Sequence, residues 1–536
     1  MDSGRGNLVT ALLRHGGEQP DKVAILFPDG EKVTFGEIKE KIQAYRRGLA
    51  EARFGPGDRI VVLFPICADF YALCLAMMAS GLVVVFLDKG MSKASMVQAL
   101  KRAAPKGIVS VDALLSKWIL FPPLWKMRRY TVGKERWGLK SLQSLEREGQ
   151  EFLPPLDCEE ASPGTTALIT YTSGTTGEPK GANRTHDLLL AQHKALAEEF
   201  PHCSEEVDMP SFPVVVLHNL LCGITTIFPD VDLGAPGAVE AAKIVAQIDA
   251  CRVTRLAAAP AFLERLLVEV ERDRTKIKSL QTLICGGAPL PPRVASKMVD
   301  LLPDVEKWII YGSTEAEPIA RVTVEEALSA EGEGYLVGTV AEVAEVILVT
   351  PGIQTALLEE EGLQKYGVLP GEVGELLVSG PHVLREYIGS PGANKATKVR
   401  SGERVWHRTF DLARFDQENR IWLMGRLGDH FQHQGKTIYP FVLEARLLEL
   451  PGVKRAALLH HEKAREGEVL ILAEPDFFED DHGGEALRER IRQRVQSCLD
   501  ELGVSEMNVD FIEFLPVDRR HNSKIDRRAL RSQRIK

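Results

Sequence analysis

Short apolar runs alternate with helix-like stretches through most of the chain. The strand-like runs lie at residues 23–27, 60–64, 167–171, 214–217, 282–285 and 307–311. Between them, apolar residues recur at helical spacing, for example over residues 35–49 and 261–272. Such alternation is typical of α/β layers built around a largely parallel sheet. The predicted fold class is therefore α/β, with layered sheets in a large N-terminal domain.

The pattern changes after residue 430. Helical patterns at residues 443–450 and 485–502 are mixed with strand-like runs at 456–459, 469–472 and 511–515. This mixture predicts a small α+β domain. The Gly-rich, charged stretch at residues 425–429 is typical of a linker. We therefore expect a domain at residues 1–425, a hinge at 426–429 and a second domain at 430–536.

One uncharged segment, residues 70–87, is long enough for a membrane-spanning helix to be considered. Gly81 interrupts it, and a β-branched run follows at residues 83–85. A helix, a glycine and then a buried parallel strand account for this composition better than a single span does. We interpret the segment as part of the protein core.

Composition narrows the class of protein. The 536 residues carry a formal net charge of −9, with 44% hydrophobic and 26% charged residues, which is typical of a globular protein with several domains. A mildly acidic chain argues against general nucleic-acid binding. The eight cysteines include no C-x-x-C pair, which argues against a zinc finger or a disulfide-rich scaffold. The first residues lack the apolar core of a signal peptide, so we expect a cytoplasmic protein.

A basic, aromatic segment lies at residues 117–129 and contains Trp118 and Trp125. One interpretation is a peripheral membrane contact, because cations beside tryptophan suit a membrane interface. The other is a loop packed on the domain. Pro122 and Pro123 favour the loop, because they prevent a continuous amphipathic helix.

The most informative motif is the stretch at residues 171–181, YTSGTTGEPKG, which follows a strand-like run. Small residues allow a backbone to approach an anion, and consecutive N–H groups can form an anion nest. The hydroxyls of Thr172, Ser173, Thr175 and Thr176 and the charge of Lys180 add further donors. These are the parts of a polyphosphate site, although the stretch is not a Walker A loop. An ordinary Ser/Thr/Gly loop is the alternative interpretation.

This stretch resembles the phosphate loop of the adenylate-forming superfamily, which comprises acyl-CoA synthetases, luciferases and peptide-synthetase adenylation domains. Further motifs of that superfamily follow in the same order: GGAPL at residues 286–290, YGSTE at 311–315, RTFDL at 408–412, Gly425-Arg426, and the lysine at 524. Weaker N-terminal matches lie at residues 33–37 and 79–81. The resemblance spans nearly the whole chain and implies a mobile C-terminal domain.

The resemblance also implies a role for each matched residue. ATP and Mg²⁺ are the implied cofactors, with Glu315 holding the metal. The implied nucleotide-binding residues are Thr172, Ser173, Gly174, Thr175, Thr176, Gly177, Lys180, Gly286, Gly287, Ala288, Tyr311, Gly312, Thr314, Asp411 and Arg426. Among them, Tyr311 stacks on adenine and Asp411 binds the ribose hydroxyls. Lys524, Glu315 and Thr172 are the implied catalytic residues.

The first reaction of this superfamily suits these residue types. A carboxylate attacks the α-phosphorus of ATP and expels pyrophosphate, and at a free pKa of about 4 to 5 it needs no general base. The obstacle is to bring an anion against a polyanion, so catalysis consists of charge neutralisation and positioning. Lys524 would bridge the carboxylate and the α-phosphate, and a lysine on a mobile domain can leave after adenylation.

The second step is less clear from the family pattern. The chain has Phe410, Gly428, Gln432 and Ser523 where the superfamily usually has other residues, which weakens the case for a CoA thioester. Segments at residues 207–213, 227–232, 311–315 and 520–525 resemble the β-lactone synthetases of bacterial olefin biosynthesis. That resemblance implies a long-chain fatty or β-hydroxy acid as partner, whose own hydroxyl displaces AMP, and implies pathway enzymes as further partners.

Two other functions stay open. One is a fatty acid–CoA ligase that uses CoA, and the other is a non-catalytic nucleotide-binding relative. His218 lies where the family lines its acyl pocket, and both an assisting role and an ordinary core histidine are compatible with the sequence.

Overall fold

The computed structural model describes residues 6–534 except 89, 117–120, 136–138, 151–157, 159–160, 163, 173–178, 232–238, 434, 461–468, 476–483, 502, 504–506, 513–514 and 518–523. The chain divides into two compact units. The first comprises Met1–Pro229, Ser313–Glu317 and Ser379–His407, and the second comprises Asp230–Gly312, Pro318–Val378 and Arg408–Lys536. The domain boundary predicted at residues 426–429 falls within the second unit, and it stays a prediction.

Helices and strands alternate along the chain. The helices are α1 (Val9–Glu18), α2 (Phe35–Glu51), α3 (Ala68–Ala79), α4 (Lys93–Ala103), α5 (Asp112–Leu115), α6 (Leu142–Gln150), α7 (His186–Glu199), α8 (Pro213–Cys222), α9 (Ala241–Cys251), α10 (Pro260–Arg272), α11 (Pro292–Leu301), α12 (Val324–Ser329), α13 (Thr355–Glu361), α14 (Pro391–Thr397), α15 (Pro440–Leu448), α16 (Gly484–Glu501) and α17 (Arg527–Arg534). The α/β class is thereby confirmed.

The strands are β1 (Val23–Leu26), β2 (Lys32–Thr34), β3 (Arg59–Leu63), β4 (Val83–Phe86), β5 (Gly107–Ser110), β6 (Arg128–Thr131), β7 (Lys140–Ser141), β8 (Thr166–Thr172), β9 (Lys180–Thr185), β10 (Val207–Pro210), β11 (Thr225–Ile227), β12 (Arg255–Ala258), β13 (Thr282–Cys285), β14 (Glu306–Ser313), β15 (Ala316–Thr323), β16 (Tyr335–Val340), β17 (Glu345–Val349), β18 (Gly374–Ser379), β19 (Tyr387–Ile388), β20 (Lys398–Ser401), β21 (Arg404–Phe415), β22 (Ile421–Arg426), β23 (Phe431–His433), β24 (Lys436–Ile438), β25 (Val453–His460), β26 (Val469–Pro475) and β27 (Met507–Phe511).

A parallel sheet forms the core of the first unit. Strand β3 pairs in parallel with β4 and β5, and β4 pairs in parallel with β8. The apolar side chains of Val61, Val85, Ile108 and Ile169 are buried together in its core. Strand β9 is antiparallel to β8, with Tyr171 opposite Gly181. Only residues 173–179 join these two strands, which is too short for the crossover that a parallel pair requires.

The apolar segment at residues 70–87 folds as the sequence predicts. Helix α3 is followed by Gly81 and then by the buried parallel strand β4. Helix α3 is buried nearly all round, which explains why it carries no polar face. Among the described residues, no helix combines the length and the apolar character that crossing a membrane requires.

One predicted strand is wrong. Residues 214–217 lie within helix α8, although three consecutive valines favour a strand. Pro213 occupies the first position of the helix and Gly223 follows its last residue, which is the usual arrangement of these two residues at helix ends. Val216 and Leu220, one helical turn apart, are completely buried and fix this conformation.

The second unit combines parallel and antiparallel pairs. Strands β12, β13 and β14 are parallel, with Ile284 of β13 between Ala257 and Trp308. Strand β16 is antiparallel to both β15 and β22, and β22 is antiparallel to β21. The expectation of a largely parallel sheet is therefore wrong for the part of this unit that follows β14. Hairpin-length connections join several of these strands, and such connections favour antiparallel pairing.

Residues after 430 have a hydrophobic core of their own. Strand β25 is antiparallel to β26, which is parallel to β27. Helices α15 and α16 contribute buried side chains that include Leu447, Ile491 and Leu499. The predicted α+β elements are confirmed here, except that the last strand ends at Phe511 instead of beginning there.

The basic, aromatic segment lies partly outside the described residues, and Trp118 is among those not described. Pro122–Leu124 forms a single 3₁₀ turn, and Leu124 and Phe121 pack against the first unit's core. Trp125 is 57% exposed. The loop interpretation agrees with this packing, and the peripheral membrane contact stays a prediction.

Candidate active site

The phosphate-loop motif begins at the end of β8 and ends at the start of β9. Residues 173–178, which include Ser173, Gly174, Thr175, Thr176 and Gly177, lie outside the described residues, and so does the side chain of Thr172. The two strands pair so that Thr172 lies opposite Lys180. Arg102 of α4 donates a hydrogen bond to the carbonyl of Pro179, at 2.7 Å. Both ends of the motif are thus anchored in the first unit.

Glu315 lies in the same unit and is held from two sides. Its Oε1 accepts a hydrogen bond of 2.6 Å from the hydroxyl of Tyr387, and its carbonyl accepts one of 2.7 Å from the N–H of Leu384. Burial raises the pKa of this carboxyl, but His407, the Tyr387 hydroxyl and Lys398 outweigh burial and lower it to about 2. Glu315 is therefore an anion at neutral pH.

This environment fits the Mg²⁺ that the family resemblance implies. Mg²⁺ prefers hard oxygen ligands, and in phosphate sites one or two carboxylates bind it together with the substrate's phosphates. Glu315 supplies one such carboxylate in the ionised form. The chemistry of the site thus suits the metal, and the role of Glu315 as its ligand stays a prediction.

Sequence reasoning missed three residues near Glu315: Tyr387, Lys398 and His407. The pairing of β20 with β21 places Lys398 opposite His407, with Nζ 3.2 Å from Nδ1. Lys398 Nζ also donates to the carbonyl of Leu384 and lies 5.2 Å from the centre of the Tyr387 ring. The sequence does show a lysine and a histidine beside strand-like apolar residues. It does not show the strand register that places them opposite each other.

The three groups influence each other's protonation. Burial lowers the pKa of Lys398 to about 7, although Glu315 acts in the opposite direction. Burial and then the charge of Lys398 lower the pKa of His407 to about 3. Burial, followed by the charge of Glu315, raises the pKa of Tyr387. At neutral pH, His407 is therefore neutral and Lys398 is close to its titration midpoint.

Replacing Lys398 with methionine should change how stability depends on pH. The pKa of Lys398 is about 7 in the folded chain against 10.5 for the ordinary side chain. At pH values between these two, Lys398 binds more protons in the unfolded chain than in the folded chain. It therefore makes the free energy of unfolding increase as the pH rises. Urea unfolding at pH 7 and about pH 9.5 should show that this increase, on the order of a few kcal/mol in the free energy of unfolding, is present in the original protein and absent in Lys398→Met.

Lys395 of α14 provides the control for this measurement, because it is exposed and lies one helical turn earlier. Lys395→Met should keep the pH dependence of the original protein. Identical pH dependence in Lys398→Met and the original protein would contradict the buried, titrating lysine.

The nucleotide motifs of the second unit meet at Asp411. The hydroxyl of Tyr311 donates to Asp411 Oδ2 at 2.7 Å, and Arg426 Nη1 donates to Oδ1 at 2.9 Å. The pairing of β21 with β22 places Asp411 directly opposite Arg426. The charge of Asp411 raises the pKa of Arg426. These three residues, predicted from separate motifs, therefore form one connected cluster.

The strand that carries Asp411 is anchored in the interior. Arg408 is buried, and its guanidinium donates to Glu375 at 2.8 Å and to Thr355 at 3.0 Å. Between Arg408 and Asp411, Phe410 has a φ of +59°, which a bulky side chain rarely adopts. The backbone is thus strained beside Asp411, at the position where the family usually has glycine. Such strain is concentrated at functional sites.

The GGA segment, Gly286, Gly287 and Ala288, follows β13 in the same unit. A Cβ on Gly286 would lie 2.7 Å from Cγ2 of Ile310, which directly precedes Tyr311. Gly287 has a φ of +84°, a conformation that glycine adopts without strain. The glycines therefore allow the backbone to pass close to the strand that carries Tyr311, and their contact with adenine stays a prediction.

Two residues of the YGSTE motif contribute through the backbone. Gly312 continues strand β14, and the carbonyl of Thr314 accepts a hydrogen bond of 3.2 Å from buried Arg184. That hydrogen bond holds the chain next to Glu315 in the first unit. Nucleotide contacts of Gly312 and Thr314 stay predictions.

Lys524 is exposed and lies at a bend three residues before α17 begins. The next residue, Ile525, forms a bridge with Val517 and packs on the small core that contains Leu530. Asp526 accepts a hydrogen bond of 2.9 Å from the N–H of Ala529 and so begins the helix. The backbone that follows Lys524 is thus held in place, and the catalytic role of Lys524 stays a prediction.

The predicted hinge is connected to the same helix. Asp429 lies 3.4 Å from Arg527 Nε and 2.8 Å from Arg531 Nη2. Arg527 is also bonded to buried Glu444, at 2.6 Å. These ion pairs connect the end of the hinge to the segment that follows Lys524.

Comparisons with known proteins identify the family. Residues 12–388 match the AMP-binding enzyme family. The olefin beta-lactone synthetase of Stenotrophomonas maltophilia (strain K279a) is 30% identical over 548 residues, covering 98% of this chain and 97% of that protein. A feruloyl-CoA synthase from Amycolatopsis sp is 29% identical over 458 residues, covering 82% of this chain and 83% of that protein. The ATP-bound crystal structure of MatB from Rhodopseudomonas palustris superposes with a TM-score of 0.79 at 21% identity, covering 98% of each chain, and shares the fold. This chain therefore belongs to the AMP-binding enzyme family and is an adenylate-forming acid ligase.

Proposed function

We propose that this ligase activates a long-chain β-hydroxy acid with ATP and closes it to a β-lactone. The observation that carries the proposal is the 30% identity to an olefin beta-lactone synthetase over 98% of the chain. That likeness covers 98% of the chain, whereas the likeness to the feruloyl-CoA synthase covers 82% of it.

In the first step, the substrate carboxylate forms a bond to the α-phosphorus of ATP, and the bond to pyrophosphate breaks. Tyr311, Asp411 and Arg426 would hold the nucleoside, and Lys524 would neutralise charge between the carboxylate and the α-phosphate. Mg²⁺ on Glu315 would neutralise the charge of the departing pyrophosphate. No general base is needed, because the carboxylate is ionised at neutral pH.

In the second step, the oxygen of the substrate's β-hydroxyl attacks the carbonyl carbon of the acyl-AMP. The bond between that carbon and the phosphate oxygen breaks, AMP leaves with the electron pair of that bond, and the hydroxyl proton is released to solvent water. The product is a four-membered cyclic ester, and CoA takes no part. The departures from the family pattern at Phe410 and Gly428 weaken the case for thioester formation as the second step.

A matched pair of acids tests the proposal. The protein is incubated with ATP, Mg²⁺ and either a long-chain 3-hydroxy acid or the same acid without the hydroxyl, each with and without CoA. We expect repeated CoA-independent release of AMP and pyrophosphate with the hydroxy acid only, and a β-lactone detected by mass spectrometry or NMR. The plain acid should stop at the adenylate.

A CoA thioester without lactone would overturn the lactone step and favour the CoA-ligase alternative, which the feruloyl-CoA synthase relative supports. If the protein binds ATP but releases no pyrophosphate in the presence of either acid, activation of these acids is contradicted. Mass spectrometry of the products separates these outcomes in one experiment.

A further inference from the structure

Three potential metal ligands meet between helices α7 and α8 of the first unit. His193 lies on α7, and His218 and Cys222 lie on α8. The two Nδ1 atoms of the histidines are 3.1 Å apart, and His218 Nε2 is 3.6 Å from Cys222 Sγ. One ligand atom from each of the three residues can be chosen so that all lie within 4.8 Å of one another. Neither the AMP-binding motifs nor the proposed reaction uses this cluster as a metal site.

The local sequence explains why the three side chains converge. His218 and Cys222 are four residues apart on α8, so both lie on one face of the helix. His193 approaches from α7, and the two imidazole rings are 4.9 Å apart between their centres, tilted by 55°. His218 is buried, while His193 and Cys222 are partly buried. The cluster is therefore shielded, although two of its three members keep some exposure.

The donor atoms of the cluster suit a metal, because two imidazoles and one thiol lie together. Neutral imidazole and thiolate are the donors that zinc prefers, whereas Mg²⁺ and Ca²⁺ prefer oxygen.

The geometry points to a single Zn²⁺ ion bound by His193, His218 and Cys222. Zn–N bonds of about 2.05 Å and a Zn–S bond of about 2.3 Å in a tetrahedron place two nitrogen ligands about 3.4 Å apart, and nitrogen and sulfur about 3.6 Å apart. The 3.1 Å between the two Nδ1 atoms lies close to the first value, whereas Cys222 Sγ lies 3.6 Å from the other nitrogen of His218, Nε2. An imidazole binds one ion through one nitrogen, so the ring of His218 turns to direct a single nitrogen between its two partners.

Such an ion would connect two helices of the first unit. Three protein ligands leave the fourth tetrahedral position to water or a small ligand, as in other zinc sites with an open position. Because the ion binds the folded chain, its binding energy adds to folding stability. The alternative is a hydrogen-bonded chain from Cys222 through His218 to His193 without a metal.

Cobalt provides the test, because Co²⁺ substitutes for Zn²⁺ and reports its ligands by absorption. The full-length protein is treated with a chelator and titrated with Co²⁺ in the absence of ATP and Mg²⁺. We expect one Co²⁺ per chain, visible bands of a tetrahedral ion, and a thiolate-to-metal charge-transfer band. Zn²⁺ should abolish these bands by displacement, whereas excess Mg²⁺ should not.

Variants assign the ligands. Cys222→Ser should remove the charge-transfer band. His193→Ala should weaken Co²⁺ binding by at least about a hundredfold, because losing even a residue that only hydrogen-bonds to a metal ligand lowers metal affinity by about 10- to 100-fold. His202→Ala and Cys203→Ser, which change the same residue types outside the cluster, should bind Co²⁺ like the original protein. Circular dichroism establishes that each variant is folded.

Two results would overturn the site: no tetrahedral Co²⁺ bands in the original protein, or unchanged bands in Cys222→Ser. If a variant fails to fold, X-ray absorption of the Zn²⁺-loaded original protein decides instead, through the presence or absence of one sulfur ligand. These readouts do not depend on acid, ATP or lactone, so the site and the proposed function stand or fall separately.

Discussion

Alanine at position 524 is expected to lower the rate of acyl-AMP formation by about 10²- to 10³-fold, the cost of removing one preorganised charge-stabilising donor. The reason is electrostatic: the reacting carboxylate and the α-phosphate are both anions, and a cation between them lowers their repulsion. ATP affinity should change little, because the nucleoside contacts predicted for Tyr311 and Asp411 remain. Pyrophosphate release measures the rate, and calorimetry with ATP measures binding.

A matched control lies on the same segment. Arg528 is exposed and is four residues after Lys524, so Arg528→Ala removes one positive charge without touching the predicted catalytic group. Its rate should stay close to that of the original protein. Lys524→Arg keeps the charge but changes its position, and it should recover only part of the rate. A normal rate in Lys524→Ala would refute the catalytic role of Lys524.

Local sequence signals predicted the elements that depend on neighbours along the chain. Gly81 separated a helix from a strand because the break lies in the sequence itself, and the structure has α3 and β4 on either side of it. The strand predicted at the valines before His218 was wrong, because local preference does not decide the conformation of that segment. Their strand propensity is a weak preference, and burial on one face of α8 together with the helix-end residues outweighed it.

Order along the chain predicted one half of the candidate site. Tyr311, Asp411 and Arg426 came from three separate motifs, and the structure joins them by hydrogen bonds of 2.7 and 2.9 Å. The set of motifs that the family shares reflects a fold in which β21 and β22 are adjacent. It therefore predicted which residues belong together, although it contained no distances.

The environment of Glu315 was not predictable in this way. Lys398 and His407 face each other because β20 and β21 pair with one register, and a shift of one strand by one residue would place these two side chains on opposite faces of the sheet. No motif marks that register. The His193, His218 and Cys222 cluster was hidden for a similar reason, because its members come from two helices whose packing is a tertiary property.

Asp411→Asn is expected to weaken ATP binding by about 10- to 100-fold, since a hydrogen bond to a charged group is worth about 1.5 to 3 kcal/mol and 1.4 kcal/mol corresponds to a factor of ten. The carboxylate now accepts from both Tyr311 and Arg426. Asparagine offers one acceptor and one donor, so one of these partners faces an N–H group instead. The predicted contacts to the ribose hydroxyls lose their anion at the same time. Calorimetry with ATP and the KM for ATP both report the change.

The control variant Asp416→Asn distinguishes a loss of nucleotide contacts from a loss of stability. Asp416 Oδ2 accepts hydrogen bonds of 2.8 Å from Arg420 and 2.8 Å from Trp422, so it also joins an arginine to an aromatic residue. Its Oδ1 also accepts from the backbone N–H groups of Glu418 and Arg420, so Asp416→Asn should lower the melting temperature at least as much as Asp411→Asn does, but it should leave ATP affinity unchanged. If both variants bind ATP like the original protein, Asp411 stabilises the strand pair and does not hold the ribose. If only Asp411→Asn loses affinity, the nucleotide contact is the explanation, because Asp416→Asn loses at least as many hydrogen bonds and still binds ATP.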